Sequence, residues 1–138
     1  LHSFPTRRSS DLGFLKGYSD QDVEACMSAV AVSKPILMLG TNVDEVVTSP
    51  ATLRDAFKRD FGSMSSLRWG KRSQLYVSAA GALASVIIEL PVAYESEGKE
   101  VKSLFRYAMT LVKEGPEWKI CAGLASVPYG KGTYSFDQ

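Results

Sequence analysis

From Leu67 to Pro128, hydrophobic and polar residues alternate with a period of two, the pattern of strands that bury one face. Three glycine-bearing breaks, Ala80-Gly81, Glu97-Gly98 and Glu114-Gly115-Pro116, divide this stretch into a predicted meander of four antiparallel strands. Glycine supplies the positive φ that tight hairpin turns need. The spacing changes to helical ahead of the meander. Phe14, Leu15 and Tyr18 form the last turn of one helix, with Gly17 near its end. A second helix is predicted from Ser19, with Asp22 completing a capping box, Tyr18 and Val23 as a hydrophobic staple, and Val23, Cys26, Met27 and Val30 as its apolar positions. Lys34-Pro35 ends it, and short strands follow at Ile36 to Thr41 and Glu45 to Thr48. Ser49-Pro50 then supplies the N-cap and first-turn proline of a third helix, whose stripe is Leu53, Ala56, Phe57 and Phe61 and whose end is Gly62.

The turns set a register. A two-residue loop at Glu97-Gly98 pairs Leu90 with Phe105, Ile88 with Tyr107 and Val86 with Met109. A loop at Ala80-Gly81 pairs Leu75 with Val86, Val77 with Ala84 and Ser73 with Ile88, and sets Arg72 opposite Glu89. Strand alternation puts Trp118, Ile120, Ala122 and Leu124 on one face. One side of the sheet is then apolar, carrying Trp69, Leu75, Val77, Ile88, Leu90, Phe105, Tyr107 and Trp118. The other carries Arg72, Tyr76, Glu89, Arg106, Thr110 and Cys121. Helices followed by a curved antiparallel sheet with one apolar face make an α+β domain. The helix stripe Leu53, Phe57 and Phe61 is expected on the face bearing Ile88, Leu90 and Phe105.

Composition narrows the possibilities. A chain of 138 residues makes one domain with a sizeable core, and its 45% hydrophobic and 22% charged content is that of an ordinary globular protein. A net charge of +1 with scattered basic residues argues against a nucleic-acid partner. No apolar run approaches the roughly 20 residues of a membrane span, so no membrane partner and a cytoplasmic location are expected. Two cysteines, Cys26 and Cys121, make no disulfide framework. His2 to Leu12 reads HSFPTRRSSDL, which resembles one reading frame of a sequencing adapter, and residues 1–12 are set apart as a non-native tail. The domain is expected over 13–129, with a C-terminal tail at 130–138. His2 is the sole histidine, so no Ser-His-Asp, Cys-His or His-bearing zinc site can be assembled from the domain. No GxGxxG or GxxxxGKS motif occurs, and neither a cofactor nor a metal is expected.

Several motifs stand in a telling order: Gly40-Thr41-x-x-Asp44-Glu45, Leu53-Arg54-x-x-Phe57-x-x-Asp60-Phe61, Val77-Ser78-x-x-Gly81-x-x-Ala84, Arg106 to Trp118-x-Ile120, and Ser126-Val127-Pro128. The succession of elements resembles the nuclear-transport-factor-2-like cone, and the motifs resemble its SnoaL-like branch, over roughly Gly13 to Tyr129. The resemblance implies helices and a concave sheet enclosing a ligand cavity, often in a dimer. It also implies relatives that include polyketide cyclases and ketosteroid isomerases, whose chemistry needs a carboxylate in the cavity as proton shuttle. Aligning the third helix places Gly40 where the isomerases carry their base, and Leu124 where many relatives have a cavity histidine.

The polar interior candidates are Lys71, Ser73, Tyr107 and Thr41, while Glu89 points to the opposite face. A mainly apolar cavity lined by Thr41, Trp69, Ser73, Leu90, Phe105 and Tyr107 is expected, suited to an apolar small molecule. No catalytic residue is assigned. One reading is therefore a module that binds a small molecule or dimerises. The other is an isomerase or cyclase for a polyketide- or steroid-like substrate, using Tyr107 with a mouth carboxylate such as Asp44. On the opposite face, Arg72, Tyr76, Glu89, Arg106 and Thr110 are either a solvated row of ion pairs or an interface. The pairing habit implied by the resemblance favours a homodimer through that convex face.

Overall fold

The structure, a computed structural model, describes residues 10–130 and the side chains of 13–130. The proposed tails therefore lie outside the described residues, except for the backbone of 10–12, which belongs to the first helix, and Gly130. The elements are α1 (Ser10–Ser19), α2 (Val23–Ser28), β1 (Leu37–Leu39), β2 (Val46–Val47), α3 (Pro50–Ser63), β3 (Ser65–Trp69), β4 (Gln74–Ala80), β5 (Leu83–Ser96), β6 (Lys99–Glu114) and β7 (Glu117–Ser126). They form an α+β domain in which the helices sit against one curved, mostly antiparallel sheet of order β2-β1-β7-β6-β5-β3. Among the described residues, no helix is long and apolar enough to cross a membrane.

The helix boundaries follow the capping chemistry. Ser49 accepts a hydrogen bond from the Thr52 N–H and Pro50 opens α3, as its sequence requires. The second helix does not begin at Ser19. Asp22 is its N-cap, accepting from the Ala25 N–H, and Gln21 breaks the path from α1 at φ 56°. The Gln21 amide donates to the carbonyls of Phe61 and Met64, satisfying the far end of α3. Helix α3 accordingly runs past Gly62 to Ser63.

The sheet departs from the expected meander at three places. The stretch from Leu67 to Ala80 is two strands, because β3 and β4 lie end to end along β5. Between them the Gly70 N–H donates to the Pro91 carbonyl at 2.8 Å, and a Cβ on Gly70 would lie 2.9 Å from the proline ring. The first hairpin turns at Gly81-Ala82, not Ala80-Gly81, so Leu75 pairs with Ile88, Val77 with Val86 and Gln74 with Glu89. This is a slip of two residues, which leaves every side chain on its expected face. The Glu97-Gly98 register is as expected, with Leu90 opposite Phe105 and Ile88 opposite Tyr107. In β7, Leu111 pairs with Ile120 but Thr110 with Ala122, so Cys121 is a bulge. Beyond it the faces exchange, and Ala122 and Leu124 leave the side that holds Trp118 and Ile120.

The core has several parts, one of them the sheet cluster Ala84, Val86, Leu111, Trp118 and Ile120. Helix α3 buries Leu53 and Phe57 against Cys26, Val30, Ile36 and Val47. The sheet residues Ile88 and Leu90 are covered by Leu15 of α1, with Trp69 and Tyr107 beside them. The third helix is therefore not seated on Ile88 and Leu90 as expected. Space remains between α3 and the sheet, and a cavity occupies it. Burial raises the Cys26 thiol to about 12, which makes it an inert core residue. The segment after α2 continues along the free edge of β7, where the Glu114 carboxylate accepts from the Val32 and Ser33 N–H groups at 2.9 and 2.7 Å.

Candidate functional site

The space between α1, α3 and the concave face of the sheet is a cavity of about 330 Å³. Its walls are aromatic on both sides. From the sheet come Trp69, Phe105 and Tyr107, with ring centroids 5.7–6.5 Å apart. From the helices come Phe14, Tyr18 and Phe57, and Tyr18 reaches across to Trp69 at 6.1 Å. The Trp69 indole N–H donates to the Leu15 carbonyl at 2.8 Å, which holds this ring in place.

Polar groups enter this apolar space from two elements. Leu53, Phe57 and Asp60 follow one another at helical spacing on α3, so Asp60 is carried to the cavity by the stripe that buries the helix. Its Oδ2 accepts a hydrogen bond from the Tyr18 hydroxyl at 3.0 Å. Among the described residues, Oδ1 has no donor. Burial holds the Asp60 carboxyl above the usual aspartate value, and the Glu45 charge adds to this, while the Tyr18 hydrogen bond and Arg59 oppose it. Burial also raises the Tyr18 and Tyr107 phenols, with the Asp60 charge adding in both cases. Both hydroxyls therefore stay protonated as donors at neutral pH.

The second polar element is the β1–β2 loop. Glu45 folds back over Gly40, its Oε1 accepting from the Asn42 N–H at 2.9 Å, with the Arg59 guanidinium 4.0 Å from Oε2. A Cβ on Gly40 would lie 2.6 Å from that carboxylate, so the fold-back requires glycine. Thr41 and Asn42 complete the mouth. Asp44 is exposed in the same loop and does not line the cavity.

Of the expected lining residues, Thr41, Trp69, Phe105 and Tyr107 are brought together here, and two are not. Leu90 is packed under Leu15 in the core. Ser73 lies beyond the cavity, donating to Glu89 Oε1 at 2.7 Å. Lys71, weighed as an interior group, is exposed on the link between β3 and β4. Leu124 does not take the position of a cavity histidine. The Cys121 bulge turns it outward, and Ala125, opposite Tyr107, lines the cavity instead. The interior acid that sequence reasoning missed is Asp60, together with its donor Tyr18. The signal was present as a carboxylate standing at an apolar position of the α3 stripe.

The opposite face of the sheet carries Tyr76, Glu89, Arg106 and Thr110, but not Arg72. The two-residue slip places Gln74 opposite Glu89, and Arg72 lies ahead of β4. Glu89 is paired with Arg106 at 2.6 Å, and hydrogen bonds from Ser73 and Arg106 hold its carboxyl below the usual range. Beside this pair runs an unbroken apolar row, Tyr76–Ile87–Ala108–Leu124–Leu39–Val46, each residue the register partner of the next. Its large members are open to solvent: Tyr76 56%, Ile87 48%, Leu124 47%, Leu39 39% and Val46 53% exposed.

Comparison with known proteins places this geometry. The chain superimposes on a candidate dehydratase of the NTF2-like family from Streptomyces avermitilis with a TM-score of 0.78 at 14% identity, covering 88% of this chain and 92% of that one. A ketosteroid isomerase-like protein from Erwinia carotovora atroseptica gives 0.73 at 11% identity, covering 87% and 92%. An NTF2-like protein from Cytophaga hutchinsonii gives 0.68 at 19% identity, covering 86% and 93%. At these identities the likeness is one of fold. No curated protein matches the chain. The family model of the SnoaL-like domain matches residues 13–130, and the chain belongs to that family.

Proposed function

We propose that the protein binds a flat, mainly apolar small molecule in the cone and works as a homodimer. The observation that carries this reading is the Asp60–Tyr18 pair set into an aromatic-walled cavity of about 330 Å³. That volume lies at the small end of the roughly 300–1,000 Å³ of small-molecule sites, which likewise join apolar walls to a few placed polar groups. The ligand stacks among Trp69, Phe105 and Tyr107 and donates one hydroxyl to Asp60 Oδ1. The apolar row on the opposite face supports pairing with a second copy. Between the Glu89–Arg106 pair and Ser78–Ser85–Thr110, it has no charge to desolvate.

The test is calorimetric titration with 2-naphthol at pH 7. Binding is expected, and Asp60→Asn should weaken it about 10- to 100-fold, the worth of a hydrogen bond to a charged group of about 1.5–3 kcal/mol. Undiminished affinity in Asp60→Asn contradicts the reading.

Asp60 also favours a second reading, an isomerase or cyclase acting on a hydrophobic polyketide- or steroid-like substrate. A carboxylate raised by burial is suited to taking a proton from carbon next to a carbonyl, while a neighbouring phenol donates to the carbonyl oxygen. Asp60 then replaces Asp44 as the carboxylate base of that mechanism, and Asp60→Asn abolishes turnover of a substrate that still binds.

A further inference from the structure

Strand β4 has β5 as its only strand neighbour among the described residues, so its far side is an edge of the sheet. Which of its backbone groups face outward follows from the ladders. The Lys113 N–H donates to the Ala82 carbonyl, so Ala82, and after it Ala84, Val86 and Ile88, turn their backbone groups toward β6. Leu83, Ser85, Ile87 and Glu89 therefore turn theirs toward β4, where they meet Ala80, Ser78, Tyr76 and Gln74. The residues between, Leu75, Val77 and Ala79, point their N–H and C=O groups away from β5, where no described strand meets them. Exposed edges are ordinarily blunted by a lysine, a proline or a bulge. The neighbouring β3 is blunted in this way, with a register shift between Ser65 and Arg68 and Ser66 at φ 54°. Along β4 the register is unbroken from Gln74 to Ala80, and Ser73 to Ile88 contains neither a charged residue nor a proline.

We propose that β4 pairs edge to edge with β4 of a second copy, antiparallel about a two-fold axis at Val77. The strand is self-complementary in this register. Val77 meets Val77, and Leu75 of each copy meets Ala79 of the other, so every hydrogen-bonded pair joins two residues whose backbone groups face outward. The half-buried side chains of Leu75, Val77 and Ala79 pack at the margin of the Ala84, Val86 and Leu111 cluster, and pairing continues this apolar face from one copy into the next. On the other face Tyr76 meets Ser78, and the paired stretch holds no charge to desolvate. A two-fold contact uses up both edges, so it closes on itself. A pair of seven-residue strands is small beside the roughly 1,200–2,000 Å² of a stable interface, so the contact forms at high concentration. It lies in the plane of the sheet and is separate from pairing through the convex face.

The test is amide hydrogen exchange, read residue by residue at tens of micromolar and at about 1 mM. The amides of Leu75, Val77 and Ala79 should exchange about threefold or more slowly at the higher concentration, while those of Tyr76 and Ser78, bonded to β5, stay protected at both. Ala79→Pro removes an outward donor and no bond to β5, so it should abolish the concentration dependence at Leu75 and Val77. Should the proline open the hairpin, which loss of Tyr76 protection reports, Val77→Lys does the same by setting two ammonium groups opposite one another on the axis. Leu124→Asp, on the convex face, should leave the edge protection unchanged. Outward amides that exchange at one rate at both concentrations overturn the proposal. So does protection that outlasts both edge variants, or protection that Leu124→Asp abolishes.

Discussion

Phe57→Ala is expected to destabilise the domain by about 3–5 kcal/mol, the cost of truncating a buried phenylalanine. Phe57 is 5% exposed and packs in two directions. On one side it packs with Leu53 among Cys26, Val30, Ile36 and Val47. On the other it contacts the rings of Phe14, Tyr18 and Phe61 at 5.9–6.2 Å. The gap left by truncation opens into the cavity between α3 and the sheet, which Phe57 also lines, so the wall has little means of closing over it. Urea unfolding at 25 °C measures the effect, and a cost below about 1 kcal/mol contradicts this placing of α3. The same variant should bind 2-naphthol less tightly, because Tyr18 loses the ring that steadies it beside Asp60.

Leu124→Asp is expected to dissociate the homodimer by a factor of about 10²–10³ while leaving the monomer folded. Leu124 sits within the apolar row, 47% exposed, so the substitution removes little from the core of one copy. In a dimer built on this row, symmetry brings two new carboxylates into one desolvated face, and juxtaposed like charges there cost several kcal/mol. Sedimentation of parent and variant at tens of micromolar decides it. A monomeric parent, or a variant that pairs with unchanged affinity, removes the dimer from the account. Glu89 is paired with Arg106 and accepts from Ser73, so Glu89→Ala removes the carboxylate partner of the Arg106 guanidinium.

Local chemistry made much of this fold legible. The Ser49-Pro50 start of α3 and the Glu97-Gly98 turn depend on neighbouring residues alone, and both stand where the sequence put them. The first hairpin was misjudged by one turn position, yet its faces survived because the resulting slip is an even number of residues. The Cys121 bulge is a different matter. Nothing in the alternation of β7 announces an extra residue, and it is the bulge that turns Leu124 outward and gives its cavity position to Ala125. Likewise, the break of the first long strand depends on Gly70 meeting Pro91, a contact distant in sequence. It removed Ser73 from the cavity and Arg72 from the ion-pair row. For the site, the aromatic wall of Trp69, Phe105 and Tyr107 followed from strand parity. Asp60 did not, because a carboxylate on a helix is ordinarily solvated, and only the packing of α3 against α1 brings Tyr18 within 3.0 Å of it.

The central claim is that a ligand in the cone engages Asp60, and the pH titration of the Asp60 side-chain carboxyl by carbon-detected NMR, without and with saturating 2-naphthol, tests it most directly. In the free protein the midpoint should lie above the ordinary aspartate value of 3.8, because burial disfavours the charge. A hydroxyl donating to Oδ1 stabilises the ionised form, so the bound midpoint should fall. By linkage, 2-naphthol then binds most tightly above both midpoints and loses affinity as the pH drops from the free midpoint to the lower, bound one. A midpoint that does not move on binding, or a free carboxyl titrating at or below 3.8, contradicts the account.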